Sequence, residues 1–199
     1  MNTRTLLSLL AVAALVCLTA VPAAYAGDAA AAAMVRDFDR AAEKLNALAG
    51  AIPADDYGWR PAEGVRSVSE TFMHVAQANF YLASSLGAER PEDAPEDMEA
   101  VTDKEQVTMW LAKSLQQAHK GLEMAGSADM GAEKQLFGQT MTVGDAAFIL
   151  LTHNHEHLGQ AIAYARSNGV VPPWSRPQGD DEGGGDGGGD ETAGDDGEM

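Results

Sequence analysis

Apolar positions recur with the period of an α-helix in four stretches of the chain. Residues 29–49 place Met34, Val35, Phe38, Ala42, Leu45 and Leu48 at helical spacing, and Gly50 and Pro53 end the run. A second helix opens at Ser67-Val68-Ser69-Glu70, where Ser67 and Glu70 form a capping box. Its apolar stripe is Val68, Phe72, Val75, Leu82 and Leu86, and Gly87 closes it. Thr102 and Glu105 form a second box before Val107, Trp110, Leu111, Leu115, Ala118 and Leu122, which predicts a third helix ending at Ala125. Thr142 with Asp145 caps a fourth, which runs to Asn168 before Gly169, Pro172 and Pro173 stop it. In the linker before the fourth helix, residues 137–141 predict a short extended piece. No paired-strand pattern or βαβ alternation appears. Four helices joined by loops predict an all-α protein, a four-helix bundle.

The two ends of the chain do not share this pattern. Arg4, the apolar run over 6–20 and the small-x-small Ala24-Tyr25-Ala26 have the layout of a secretory signal peptide over residues 1–26. The apolar run is too short to span a membrane comfortably, and none comes after it. The expected mature chain therefore begins at Gly27, is exported to the periplasm or beyond, and keeps no membrane contact. Cys17, the single cysteine, falls inside the apolar run. A lipid anchor on it is a minor alternative, because Val16 stands where a lipoprotein signal has a small residue. Residues 179–199 hold nine Gly and nine Asp or Glu with no Lys or Arg, so they read as a disordered acidic tail. The Gly-Gly-Gly-Asp repeats there lack the apolar position a calcium-binding coil needs. Residues 27–178 remain as one domain.

Composition then removes several function classes. The formal charge is −17, and no basic stripe exists, so nucleic acid is not an expected partner. Without cysteine the mature chain has no disulfide, thiolate nucleophile or cysteine-based zinc site. Ser84, Ser85 and Ser175 have no nucleophile-elbow context, and no phosphate-binding glycine loop is present.

The candidate chemistry lies in three of the five histidines, packed into Leu151-Thr152-His153-Asn154-His155-Glu156-His157. At about 100° per residue, His153 and His157 share one helix face and His155 points roughly the other way. The shared face also carries Leu150, Ala146, Val143, Ala161 and Tyr164. An i, i+4 pair can chelate one ion without bending the helix. It needs a third ligand, and His74, on the flank of the second helix, is the best candidate. His119 lies on a polar part of the third helix. Asn154 replaces the glutamate of an HExxH motif, which disfavours a zincin-type protease. An HxxxH pair also arises on solvent-facing helices, so the residues leave two readings open: a metal site, or histidines that serve the bundle alone.

Two longer stretches bear on that choice. Residues 59–76, with Trp59-Arg60-Pro61 and His74, and residues 152–175, with HxxxH followed by Gly159-Gln160 and an Asn-Gly-x-x-Pro-Pro ending, resemble the DinB-like superfamily. The resemblance covers most of residues 29–176. It implies an up-down-down-up four-helix bundle and a divalent metal, Zn or Ni, held by His74, His153 and His157. It also implies a metal-dependent hydrolase or a thiol S-transferase, and often a homodimer. Export departs from the cytoplasmic habit of such proteins and conflicts with a thiol-transferase role, because low-molecular-weight thiols are chiefly cytoplasmic.

Three functions are therefore expected in turn. The first is an exported metal-dependent enzyme acting on a small molecule. Glu70, Gln77, Glu156 and Gln160 would then neighbour the ligands as supporting groups or as a base, and Tyr81 and Tyr164 would line the pocket. The second is a non-catalytic bundle that binds a metal or a small ligand. The third is a structural bundle with unmetallated histidines.

Overall fold

In the computed structural model, which describes residues 23–177, the first apolar stripe forms helix α1, Ala23–Ala51. Phe38, Leu45 and Leu48 are fully buried on it. The expected signal peptide up to residue 22, Cys17 and the expected acidic tail, residues 179–199, lie outside the described residues. Beyond α1 a single 3-10 turn, Ala54–Asp56, leads to Tyr57, whose hydroxyl donates to Ala49 O at 2.7 Å. Lys104 Nζ donates to Gly50 O and Ile52 O, carbonyls left free at the end of α1.

Helix α2, Val68–Ser85, opens on the expected box: Ser67 Oγ accepts the Glu70 N–H and the Glu70 carboxylate accepts the Ser67 N–H. Helix α3, Lys104–Gly126, is capped by Asp103 rather than Thr102. The Asp103 carboxylate accepts the Gln106 N–H at 3.0 Å. The two candidates are adjacent, and the carboxylate also complements the positive end of the helix. Helix α4, Val143–Ser167, carries the predicted Thr142–Asp145 box and ends before Gly169, whose φ is 74°.

The helix order around the bundle is set by which residues meet. Asn79 touches Ser114, and Ala83 faces Gly121, so α2 and α3 run parallel. Asp39 pairs with His119 and Ala31 faces Gly126, so α1 and α3 are antiparallel. His74 stacks near His157 and Asn79 bonds Asn154, so α2 and α4 are antiparallel. Asp37 pairs with His155, and Lys44 lies over Trp174 beyond the end of α4, so α1 and α4 are parallel. The result is the up-down-down-up arrangement. Helix α1 packs on α3 and α4, and α2 lies diagonally across from it. Phe72, Met73, Phe80, Leu111 and Leu150 fill the space between the four helices. Parallel α2 and α3 come close at Gly121, where a Cβ would sit 3.0 Å from Ala83 Cα.

One part of the fold corrects the sequence reading. Strands β1, Glu133–Leu136, and β2, Gln139–Thr142, pair antiparallel, with Glu133 opposite Thr142 and Leu136 opposite Gln139. The expected extended piece over 137–141 thus has a partner strand, and Phe137 and Gly138 form the turn between them. Leu136 is the one buried residue of the two strands, so the alternation that marks a strand is too short to read. Among the described residues no helix is long and apolar enough to cross a membrane.

Candidate metal centre

Because α2 and α4 run antiparallel, the flank of α2 that carries His74 faces the α4 face that carries His153 and His157. His74 and His153 are half-buried and His157 is buried. The ring centroids lie 4.4 Å apart for His153 and His157, 4.8 Å for His74 and His157, and 5.1 Å for His74 and His153. One ligand nitrogen from each ring lies within 4.8 Å of the others. His74 Nε2 and His153 Nε2 are 3.3 Å apart. Two nitrogens bound tetrahedrally to one zinc ion stand about 3.4 Å apart, given a Zn–N length of about 2.0–2.1 Å. The spacing and the all-imidazole donor set fit a single divalent transition ion.

Groups behind the rings orient two of them. His74 Nδ1 lies 3.2 Å from Glu99 Oε1, and the same carboxylate oxygen accepts from Arg66 Nε at 3.0 Å. His157 Nδ1 lies 2.7 Å from Gln160 Oε1, and Gln160 Nε2 donates to the Tyr164 hydroxyl at 2.8 Å. With Nδ1–H engaged by an oxygen, the Nε2 lone pair of each ring is turned inward, the tautomer a metal ligand needs. The Trp59 ring meets Tyr164 edge-on at 5.3 Å and closes this end of the chain of contacts. His153 differs. Its Nδ1 is buried and has no hydrogen-bond partner among the described residues, a costly state for a polar atom.

Burial keeps His153 and His74 uncharged. His153 is pushed down to about 4 by burial first, then by the neighbouring His157, His74 and Arg66. His74 is lowered by burial, with Arg66 and His157 adding to the effect and Glu99 opposing it. Both rings are therefore neutral near pH 7, the form that binds metal.

The other expected residues are placed unequally. Gln160 touches His157, as above. Glu70 makes no hydrogen bond to the three histidines. Its carboxylate serves the α2 cap and pairs with Arg60 at 3.0 Å, and those contacts, the Ser67 backbone first, hold it below the usual carboxylate range. Gln77 lines a cavity beside His74 without bonding a ring. Glu156 is exposed and bonds none of the three rings. His155 is exposed, with Nε2 3.3 Å from Asp37, and His119 pairs with Asp39 on α1. No pattern in the sequence singles out Glu99 or Arg66. Glu99 is one of several acids in the loop between α2 and α3, and the neighbouring Met98, fully buried, pins the loop next to it.

The comparisons agree with the helical fold. The family model described as DinB superfamily matches residues 37–161. A crystallised DinB-like protein from Bacillus cereus ATCC 10987 is similar in fold, with a TM-score of 0.60 and 16% identity over 70% of this chain and 93% of that one. A DinB-like protein from Bacillus subtilis is similar at a TM-score of 0.50 and 20% identity, over 69% and 93%. No curated protein matches the chain.

Proposed function

The chain belongs to the DinB superfamily, and on that premise we propose that it is an exported protein holding one zinc or nickel ion through His74, His153 and His157. The proposed activity is hydrolysis of, or group transfer to, a small molecule. The observation that carries this is the inward convergence of imidazole nitrogens, His74 Nε2 and His153 Nε2 at 3.3 Å, with the outer nitrogens of His74 and His157 engaged by Glu99 and Gln160. A bound divalent ion would polarise a substrate oxygen or sulfur as a Lewis acid. The chain's own contribution is to hold the ligands: Glu99 accepts from His74, Gln160 accepts from His157, and burial keeps His153 neutral. Export rests on the leader pattern of residues 1–26, and N-terminal sequencing of the secreted protein tests it by starting at Gly27.

A non-catalytic metal- or small-ligand-binding bundle is the second reading. It draws on the carboxylates: Glu156 is exposed, and Glu70 is occupied by the α2 cap and Arg60, so neither stands ready as a base. Metal analysis of untagged protein is the deciding experiment. About one ion per chain, lost in His153→Ala and His157→Ala, is expected. A wild-type chain without stoichiometric metal, with affinity unchanged in His153→Ala, overturns the metal in both readings. Azide or a small thiol should shift the visible spectrum of the Co²⁺ form if a coordination position is open to ligands, and leave it unchanged if the site is closed.

A further inference from the structure

A cavity of about 620 Å³ adjoins the outer side of His74, between α2, the loop before α3 and the hairpin. Its lining combines features that the fold does not explain. Phe137 is 57% exposed and Tyr81 47% exposed, yet their rings meet at a centroid distance of 5.2 Å. Phe137 also has φ 52°, a left-handed conformation that the first residue of a two-residue hairpin normally assigns to Asn, Asp or Gly. A bulky residue held there is an outlier. The Phe137 N–H donates to the Tyr81 hydroxyl at 3.3 Å, which ties the hairpin tip to α2. An exposed aromatic kept in a strained turn and tied down at the mouth of a cavity points to a ligand that uses its face.

The charge lining the cavity runs against that of the chain. The protein is acidic, at −17, but Arg66 and Arg90 both line this cavity and Glu99 is the one carboxylate there. Glu99 is already shared by Arg66 and His74. Arg90 donates to Pro95 O and lies 5.6 Å over the Phe80 ring, and it has no carboxylate partner among the described residues. One guanidinium without a carboxylate partner among the described residues thus shares a cavity with the Tyr81–Phe137 pair and His74.

We infer that this cavity, behind the His74 ring, is a binding site for a small organic anion with a planar apolar body. The body lies against Tyr81 and Phe137, and the anionic group meets Arg90, with Arg66 on the side nearer His74. Of the three histidines only His74 lines the cavity, so the site stands independently of the metal-centre reading.

Anilinonaphthalene sulfonate and its uncharged parent, phenyl-naphthylamine, test it, because they share a planar body and differ in the anion. The purified protein should bind one sulfonate probe per chain. Arg90→Gln should weaken the sulfonate about tenfold, the scale of a lost charge-assisted hydrogen bond, and leave the uncharged probe within about twofold. Phe137→Gly should weaken both probes while keeping or raising the thermal midpoint, since glycine accepts the turn conformation. His153→Ala should abolish metal and retain sulfonate binding, so the two readings fail separately. Absence of binding, equal binding of both probes, or sulfonate binding unchanged in Arg90→Gln and Phe137→Gly overturns the proposal.

Discussion

Asn79 and Asn154 donate to each other across the interface of α2 and α4. Asn154 Nδ2 reaches Asn79 Oδ1 at 2.7 Å, and Asn79 Nδ2 reaches Asn154 Oδ1 at 3.3 Å. Both side chains are fully buried. The second hydrogen of each amide is also used, by Leu150 O for Asn154 and by Ser114 Oγ for Asn79. Asn154 comes directly after His153, and Asn79 stands five residues beyond His74. A satisfied buried pair of this kind specifies one alignment of the two helices, and that alignment is the one that brings the three histidines together.

Asn79→Ala leaves the Asn154 amide buried without its partner. The expected cost is about 1–3 kcal/mol of stability, read by chemical denaturation, together with weaker metal binding. Replacing both residues by leucine should recover much of the stability without recovering the metal affinity. Full recovery of both would show that the pair does not set the alignment.

Glu99→Gln removes the carboxylate behind His74 while keeping its shape. Metal affinity should fall about 10–100-fold, the usual consequence of losing such a partner, measured by competition with a chelator. The unfolding midpoint of the metal-free protein should move little, because Glu99 is partly exposed and its pair with Arg66 lies at the surface.

Acid should destabilise the metal-free fold over a defined window. His153 titrates near 4 when folded and near 6.5 when unfolded, so between these values the unfolded chain binds the extra proton. Stability falls as pH drops from about 6.5 towards about 4, and the His153 part of the loss is complete below that. His74, also lowered, adds in the same direction. Denaturation of His153→Ala across this range should show a shallower decline than wild type.

His119 works in the opposite sense. Its partner Asp39, at 2.7 Å, raises its pKa, and Glu123 adds to the effect. A raised folded pKa stabilises the protein below the unfolded value and is lost as pH rises through the folded one. His119→Ala should therefore cost more at mildly acidic pH than at alkaline pH. The cost should stay within about 1 kcal/mol and shrink in high salt, as for other exposed pairs.

Gly121→Ala tests the close approach of the parallel helices. The new Cβ would sit 3.0 Å from Ala83 Cα and 3.1 Å from its Cβ, and backbone cannot yield as a flexible side chain can. Overpacking of this kind costs roughly 1–3 kcal/mol, visible as a lowered thermal midpoint. An unchanged midpoint would mean that α2 and α3 separate freely.

The helices and their ends are legible in the sequence because their causes are local. Periodicity buries Phe72, Leu111 and Leu150, and the caps at Ser67 and Thr142 need only residues three apart. The i, i+4 spacing of His153 and His157 is local in the same way, and so is the divergence of His155. Asp103 is hidden because two cap-forming residues stand side by side, and the hairpin is hidden because it buries a single residue.

Chain order alone thus determined four helices, their approximate limits and one chelating pair. The pairing of His74 with that pair and the clasp of Glu99 by Arg66 depend on how distant parts of the chain lie against one another, whereas the bonds of Gln160 to His157 and Tyr164 are local to α4. Glu99 is 25 residues from His74, and Asn79 is 75 from Asn154. No local pattern selects one acid from an acidic loop or one asparagine from a helix. Packing does so, because a buried polar group must find its partner in the folded bundle.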